Sequence, residues 1–194
     1  MQKDICDWLH KSKRRRMTLT SLMQPMTAKQ LSQMTEIRED SCSFILQEFL
    51  RCRIVTCLNS QARRSRLYWL TEDGKKCQKY FVESHGKAVL HTDFPVVDWN
   101  LYGWVCYTHR TAILKTLTEP LQPAVIRRKI LHHNPTIKIS ANNVSDILRL
   151  FLQKSIIEPV VIRKKVHPFY RLTELGIKLQ KLLHQSDVVA STTC

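Results

Sequence analysis

Two kinds of residue in this chain have chemistry suited to an oxyanion-bearing polymer. Arg63, Arg64 and Arg66 form one short basic cluster, and Arg163, Lys164 and Lys165 form another. Each precedes an aromatic-rich stretch that ends in Thr and Gly, so each reads as the tip of a hairpin. Cations at such a tip suit phosphate contact with salt-sensitive affinity. The plainer alternative is a solvated tip. A third run, Lys13, Arg14, Arg15 and Arg16, is open to three readings: a phosphate-binding stripe, a solvated face or a localisation signal. The other kind is base-edge chemistry. Asn142, Asn143, Ser145 and Arg149 share the outward face of a predicted helix, where Asn can pair with adenine and Arg with guanine. One of the two asparagines is expected to cap that helix instead. A matching face earlier in the chain carries Ser41, Ser43, Phe44, Gln47, Glu48 and Arg51. There Gln47 can read adenine, and Phe44 can touch a thymine methyl or pack against the other module.

The elements that must position these residues follow from periodicity. A first helix is expected over Lys3 to Met23, stopped by Pro25, and a short second one over Ala28 to Met34, capped by Thr27. A third helix over Glu39 to Arg51 keeps Cys42, Ile45, Leu46, Phe49 and Leu50 at the spacing of a buried stripe. The β-branched run Ile54–Leu58, the charged turn Asn59–Arg66 and the strand at Tyr68 make a hairpin. Thr71 then caps a closing helix whose first turn holds Glu72 and Asp73, where a helix N-terminus favours acids.

That sequence of elements occurs twice. Between Ser41 and Lys79, 14 of 39 positions are identical to those 102 residues later, among them Ile45/Ile147, Leu46/Leu148, Phe49/Phe151, Ile54/Ile156 and Tyr68/Tyr170. Unrelated segments would share roughly two or three, so the chain contains an internal duplication. Upstream, Trp104 falls opposite Trp8 and Pro120 opposite Pro25. An insertion of seven residues around His132–Pro135 lengthens the second copy.

Composition narrows the class of partner. The 194 residues carry a formal net charge of +15, from 31 Lys+Arg against 16 Asp+Glu, and both halves are basic. Such an excess fits a polyanion, nucleic acid before an anionic membrane surface. No apolar run reaches the roughly 18–20 residues of a membrane span, and no apolar signal core heads the chain. A cytoplasmic, nucleoid-associated protein is expected. The seven cysteines are scattered without a Cys-x-x-Cys pair, which indicates neither a disulfide framework nor a zinc site; Cys52 and Cys57 leave a redox pair open. His132 and His133 read as exposed loop residues, with no Cys or carboxylate at ligand spacing. No nucleophile motif, Gly-rich phosphate loop or carboxylate pair points to catalysis, so no enzymatic activity, cofactor or metal is expected.

The run from Ile54 to Gly74, with its Arg-rich turn and Arg66-Leu67-Tyr68-Trp69-Leu70-Thr71-Glu72-Asp73-Gly74, resembles the wing and final helix of MarR/ArsR-like winged-helix transcriptional regulators of the archaeal type. Phe169-Tyr170-Arg171-Leu172-Thr173-Glu174-Leu175-Gly176 repeats the pattern. The resemblance implies an α+β, mostly helical fold of two tandem winged helix-turn-helix domains, each with a small hairpin wing. It also implies double-stranded DNA binding, with the third helix of each module in the major groove and the wing on the backbone. The expected domains are 1–85 and 99–185, joined by a linker at 86–98 and followed by a flexible tail at 186–194. Two features depart from the family. Most such regulators carry one module per chain, and the first recognition helix opens with Glu39 and Asp40, which repel phosphate. They keep other readings open: a scaffold that binds protein or its own copies through an exposed module face, or a replication-initiation protein.

Overall fold

The basic run at the start of the chain begins a helix of its own. One helix was expected over Lys3 to Met23; instead α1 (Gln2–His10) stops and α2 (Lys13–Ser21) restarts. Ser12, extended at φ −136°, turns the chain between them, and its Oγ accepts a hydrogen bond from the Arg15 amide at 3.3 Å. A capping Ser offers the backbone this local alternative to continued helix, and the 3.6-residue pattern of apolar positions does not register it.

The computed structural model describes residues 2–84, 97–160 and 168–191. The architecture is α+β and mostly helical, with two small antiparallel hairpins in separate sheets. Two units divide it, residues 1–103 with 185–194 and residues 104–184. No helix among the described residues is long and apolar enough to cross a membrane.

In the first unit, α1 and α2 are followed by α3 (Ala28–Thr35) and α4 (Glu39–Arg51). Thr27 caps α3 in a reciprocal capping box with Gln30. Helix α4 buries Cys42, Ile45, Leu46 and Phe49, one stripe at i, i+3, i+4 and i+7. Strands β1 (Val55–Cys57) and β2 (Tyr68–Leu70) pair with Val55 opposite Leu70 and Cys57 opposite Tyr68. Met26 adds a bridge to the free edge of Tyr68, exchanging two backbone hydrogen bonds of 2.9 and 3.1 Å. Helix α5 (Glu72–Glu83) closes the unit, burying Cys77, Gln78 and Phe81. The start of α6 (Trp99–Val105) also belongs here: Tyr102 is fully buried, and its hydroxyl accepts from Gln30 Nε2 at 3.3 Å.

The second copy repeats the plan with α7 (Thr108–Thr116), α8 (Pro123–His133), α9 (Ala141–Gln153), β3 (Ile157–Val160), β4 (Phe169–Leu172) and α10 (Glu174–Ser191), whose residues from 185 onward group with the first unit. Leu121 bridges to Tyr170 as Met26 does to Tyr68. The seven inserted residues divide in two. Three lengthen α8, which has 11 residues against 8 in α3, and four lengthen the turn after it. His132 and His133 therefore end a helix instead of lying in a loop, and His133 Nδ1 lies 2.7 Å from the Lys129 carbonyl. The expected loose tail from residue 186 is helical as far as Ser191. The contact boundary falls inside α6, after Gly103, whereas the sequence places it at 86–98, of which residues 86–96 are outside the described residues.

The Thr-x-x-Gly signature is a joint between hairpin and closing helix. Thr71 Oγ1 donates toward the carbonyls of Arg53 (2.7 Å) and Ile54 (3.1 Å) and accepts from the Gly74 amide. Thr173 repeats all three bonds with Ser155, Ile156 and Gly176. The glycine is required by space: a Cβ on Gly74 would lie 2.0 Å from the Ile54 carbonyl oxygen, and one on Gly176 2.2 Å from that of Ile156. A second shared device is a buried glutamine. Gln78 Nε2 donates to the carbonyls of Leu19 and Leu22, and Gln180 Nε2 to those of Leu114 and Leu117, satisfying the open C-terminal ends of α2 and α7.

Candidate nucleic-acid interface

The two third helices, alike in their buried stripes, differ on their outer faces. Helix α9 starts from Ser140, whose Oγ accepts from the Asn143 amide at 3.0 Å while Asn143 Oδ1 accepts from the Ser140 amide and hydroxyl. The cap is thus Ser140, with Asn143 as its reciprocal partner. Asn143 Oδ1 is thereby committed to the capping box, which removes the acceptor a bidentate adenine contact would need. Asn142 and Ser145 are exposed, and Arg149 reaches solvent with a 3.3 Å ion pair to Asp146 one turn back. That pair is 63–70% exposed on its side chains, so it is weak and easily exchanged.

On α4 the matching face is half committed to the fold. Arg38 at its N-cap makes no side-chain cap; it pairs with Asp40, and Glu39 stands exposed beside them. Gln47, a candidate for base reading, is half-buried and donates from Nε2 to the Tyr68 hydroxyl at 2.8 Å, tying α4 to the hairpin. Burial raises the pKa of that hydroxyl, with Cys57 adding to the rise and Arg66 and Gln47 opposing it. Glu48, expected to face outward, turns in to Arg15. Ser43 and Arg51 are exposed, Ser41 is half-buried, and Phe44 is 61% exposed.

The basic clusters fare differently. Arg63, Arg64 and Arg66 are exposed on the first hairpin turn, where Arg66 Nε donates back to the Ala62 carbonyl at 3.0 Å. Arg163, Lys164 and Lys165 lie outside the described residues. In the N-terminal run Lys13 and Arg14 are exposed, whereas Arg16 Nη1 donates to the His10 carbonyl. Arg15 is structural. Its guanidinium carbon sits 3.9 Å above the Trp8 ring, and Nε and Nη2 donate to Glu48 at 3.1 and 2.9 Å. A four-residue basic stripe on phosphate is therefore not available from this run.

Sequence reasoning missed the matching arginine of the second unit. Arg110 stacks 3.9 Å over Trp104 and 4.8 Å from Tyr107, and Lys154 lies over Trp104 at 5.0 Å. The signal was present in the repeat of Trp8 at Trp104. A one-residue gap between Trp and Arg (Trp8 to Arg15, Trp104 to Arg110) hid the rest of the correspondence. Also unremarked in the sequence were Arg127, Arg128 and Lys138, exposed in and after α8.

Compared with family models, curated proteins and solved structures, the chain matches none of them. The functional reading therefore rests on its own residues.

Proposed function

We propose that the protein is a duplex-DNA-binding transcriptional regulator built from two winged helix-turn-helix modules, with α9 as the main reading helix. The observation that carries this reading is the outer face of α9. Asn142, Ser145 and Arg149 are all exposed there, and no acid stands in the first turn. Its N-terminal end carries partial positive charge from the helix dipole, and Arg128 and Lys138 lie exposed in the preceding helix and turn. In this reading α9 lies in the major groove, Arg149 exchanges Asp146 for guanine, and Asn142 addresses adenine. Arg63, Arg64 and Arg66 supply phosphate contacts from the first hairpin turn, and the run Arg163, Lys164 and Lys165, which follows β3 in the sequence, supplies the matching charge. If both modules engage one face of the duplex, their sites fall about 34 Å apart, one helical turn.

Selection of preferred duplexes from a random pool tests the reading. A consensus that is lost on Arg149→Ala supports it; a pool without consensus rejects sequence-specific regulation. A second reading, a protein-binding scaffold, is favoured by one observation: on α4 the exposed Phe44 stands beside Glu39 and Asp40, which repel phosphate. It predicts that binding of random duplex is indifferent to salt and to neutralisation of Arg63 and Arg64.

A further inference from the structure

The two tryptophan-stacked arginines start from one geometry and end in opposite electrostatic states. In the first unit, Arg15 lies on Trp8, points Nη1 at the Trp8 carbonyl (3.5 Å), and presents its Nε/Nη2 edge to Glu48. In the second, Arg110 lies on Trp104 at the same 3.9 Å and donates from Nη1 to the Trp104 carbonyl at 2.9 Å. Each ring makes a T-shaped contact with the equivalent core phenylalanine, Trp8 with Phe49 and Trp104 with Phe151. The residue that occupies the place of Glu48 in α9 is Leu150, and the place of Cys52 is taken by Lys154. Around the first tryptophan the charges cancel. Around the second there are two cations, and among the described residues no acid pairs with either.

Arg110 is half-buried, and burial lowers its pKa although Tyr107 opposes the shift. A guanidinium set over an aromatic ring and tied through Nη1 to the Trp104 carbonyl has already lost much of its rotamer freedom. Its open edge is a fork matched to two oxygens on one centre. The first unit shows what that edge takes, since Glu48 accepts from it through both carboxylate oxygens. We propose that in the second unit the same edge, with Lys154 beside it, takes a backbone phosphate of the bound duplex. This rests on the DNA-binding reading. Two observations favour phosphate over a partner's carboxylate: the chain's excess of 15 positive charges, and the location of Lys154 at the C-terminal end of α9, the helix assigned to the groove. The divergence at one position, Glu48 against Leu150, would thus close the site in one module and open it in the other.

The test uses the full chain and a duplex it binds, with affinity measured from 50 to 300 mM salt. Each phosphate contact contributes roughly 0.9 to the slope of log affinity against log salt. Leu150→Glu, which restores the closed arrangement without removing the arginine, should lower that slope by about one. Arg110→Gln with Lys154→Gln should lower it by one to two. Arg110→Lys should keep the slope while weakening binding several-fold, because charge is retained and the fork is lost. Far-UV circular dichroism and melting of each variant separate these effects from misfolding. If the wild-type chain binds no duplex, the functional reading itself falls. If it binds but all three variants keep the wild-type slope and affinity, the phosphate site is overturned while the reading stands. Competition by a hexaglutamate peptide that Leu150→Glu abolishes, with DNA binding unchanged, would overturn phosphate in favour of an acidic protein segment.

Discussion

The two halves of this chain differ least where helix meets hairpin and most where helix meets solvent. Thr71, Gly74 and Gln78 are matched by Thr173, Gly176 and Gln180 in residue type and in hydrogen-bond partners. On the outer face of the third helix Asp40 becomes Asn142, Phe44 becomes Asp146 and Gln47 becomes Arg149, while the inward-turned Glu48 becomes Leu150. The joint keeps its residue types where a Cβ would meet a backbone carbonyl, at Gly74 and Gly176, while the exposed face exchanges charge.

The largest effect should come from the joint, and it should be the same in both units. Gly74→Ala and Gly176→Ala each drive a methyl into a backbone carbonyl about 2 Å away. Each should cost about 2–3 kcal/mol, read by chemical denaturation. A much smaller loss in either would show that its hairpin can shift and that the joint is not shared. The next effect should be unequal. Arg149→Ala should weaken binding of the selected duplex about tenfold or more. Gln47→Ala should leave it within about twofold and instead lose about 1 kcal/mol of stability with the Tyr68 bond. Equal losses of affinity would put both helices in the groove and remove the asymmetry.

A third difference lies in the core. Cys77 is buried, and burial pushes its thiol pKa up to about 11, with nearby Cys6 and Asp73 adding to the rise; Leu179 occupies that place in the second unit. Because the folded pKa is raised, the stabilisation is complete below the ordinary value of 9.0 and is lost as pH rises through 11. Melting temperature should fall across that window, and Cys77→Ala should flatten the fall even though it lowers stability at neutral pH. A fall unchanged in the variant would assign it to other groups. The smallest effect is again shared. Arg53 (φ 58°) and Ser155 (φ 53°) sit in the left-handed region just after α4 and α9. Glycine at either should raise stability by about 0.5–1 kcal/mol, seen as a higher denaturation midpoint.

Much of this architecture is readable from residue patterns, because a buried stripe such as Cys42–Ile45–Leu46–Phe49 and a Thr before Glu-Asp-x-x carry their structural meaning locally. The bounds Glu39–Arg51 follow from that stripe and agree with α4. The break at Ser12 does not, since both flanking segments are individually helical and only a cap separates them. The candidate interface is less readable still. Exposure of Asn142 and Ser145 follows from phase along the helix. The capture of Glu48 by Arg15, 33 residues away, depends on a tertiary contact that no periodicity encodes. Asn143 was legible as a capping residue but not as the far half of a box with Ser140, because the same short polar side chain suits both positions.

Gly103 belongs to the second copy by sequence but packs within the first unit. A Cβ there would stand 2.3 Å from Asn59 Nδ2 and 3.0 Å from the Ser65 carbonyl, inside the first unit, whereas the residue in register with it in the first copy is Asp7, exposed. The close approach sets a residue of the second sequence copy against the hairpin of the first, a contact that one copy does not make within itself. An excised first half ending before residue 99 would leave Asn59 and Gln30 without the helix that covers them, so fragments meant to fold alone should run through Gly103.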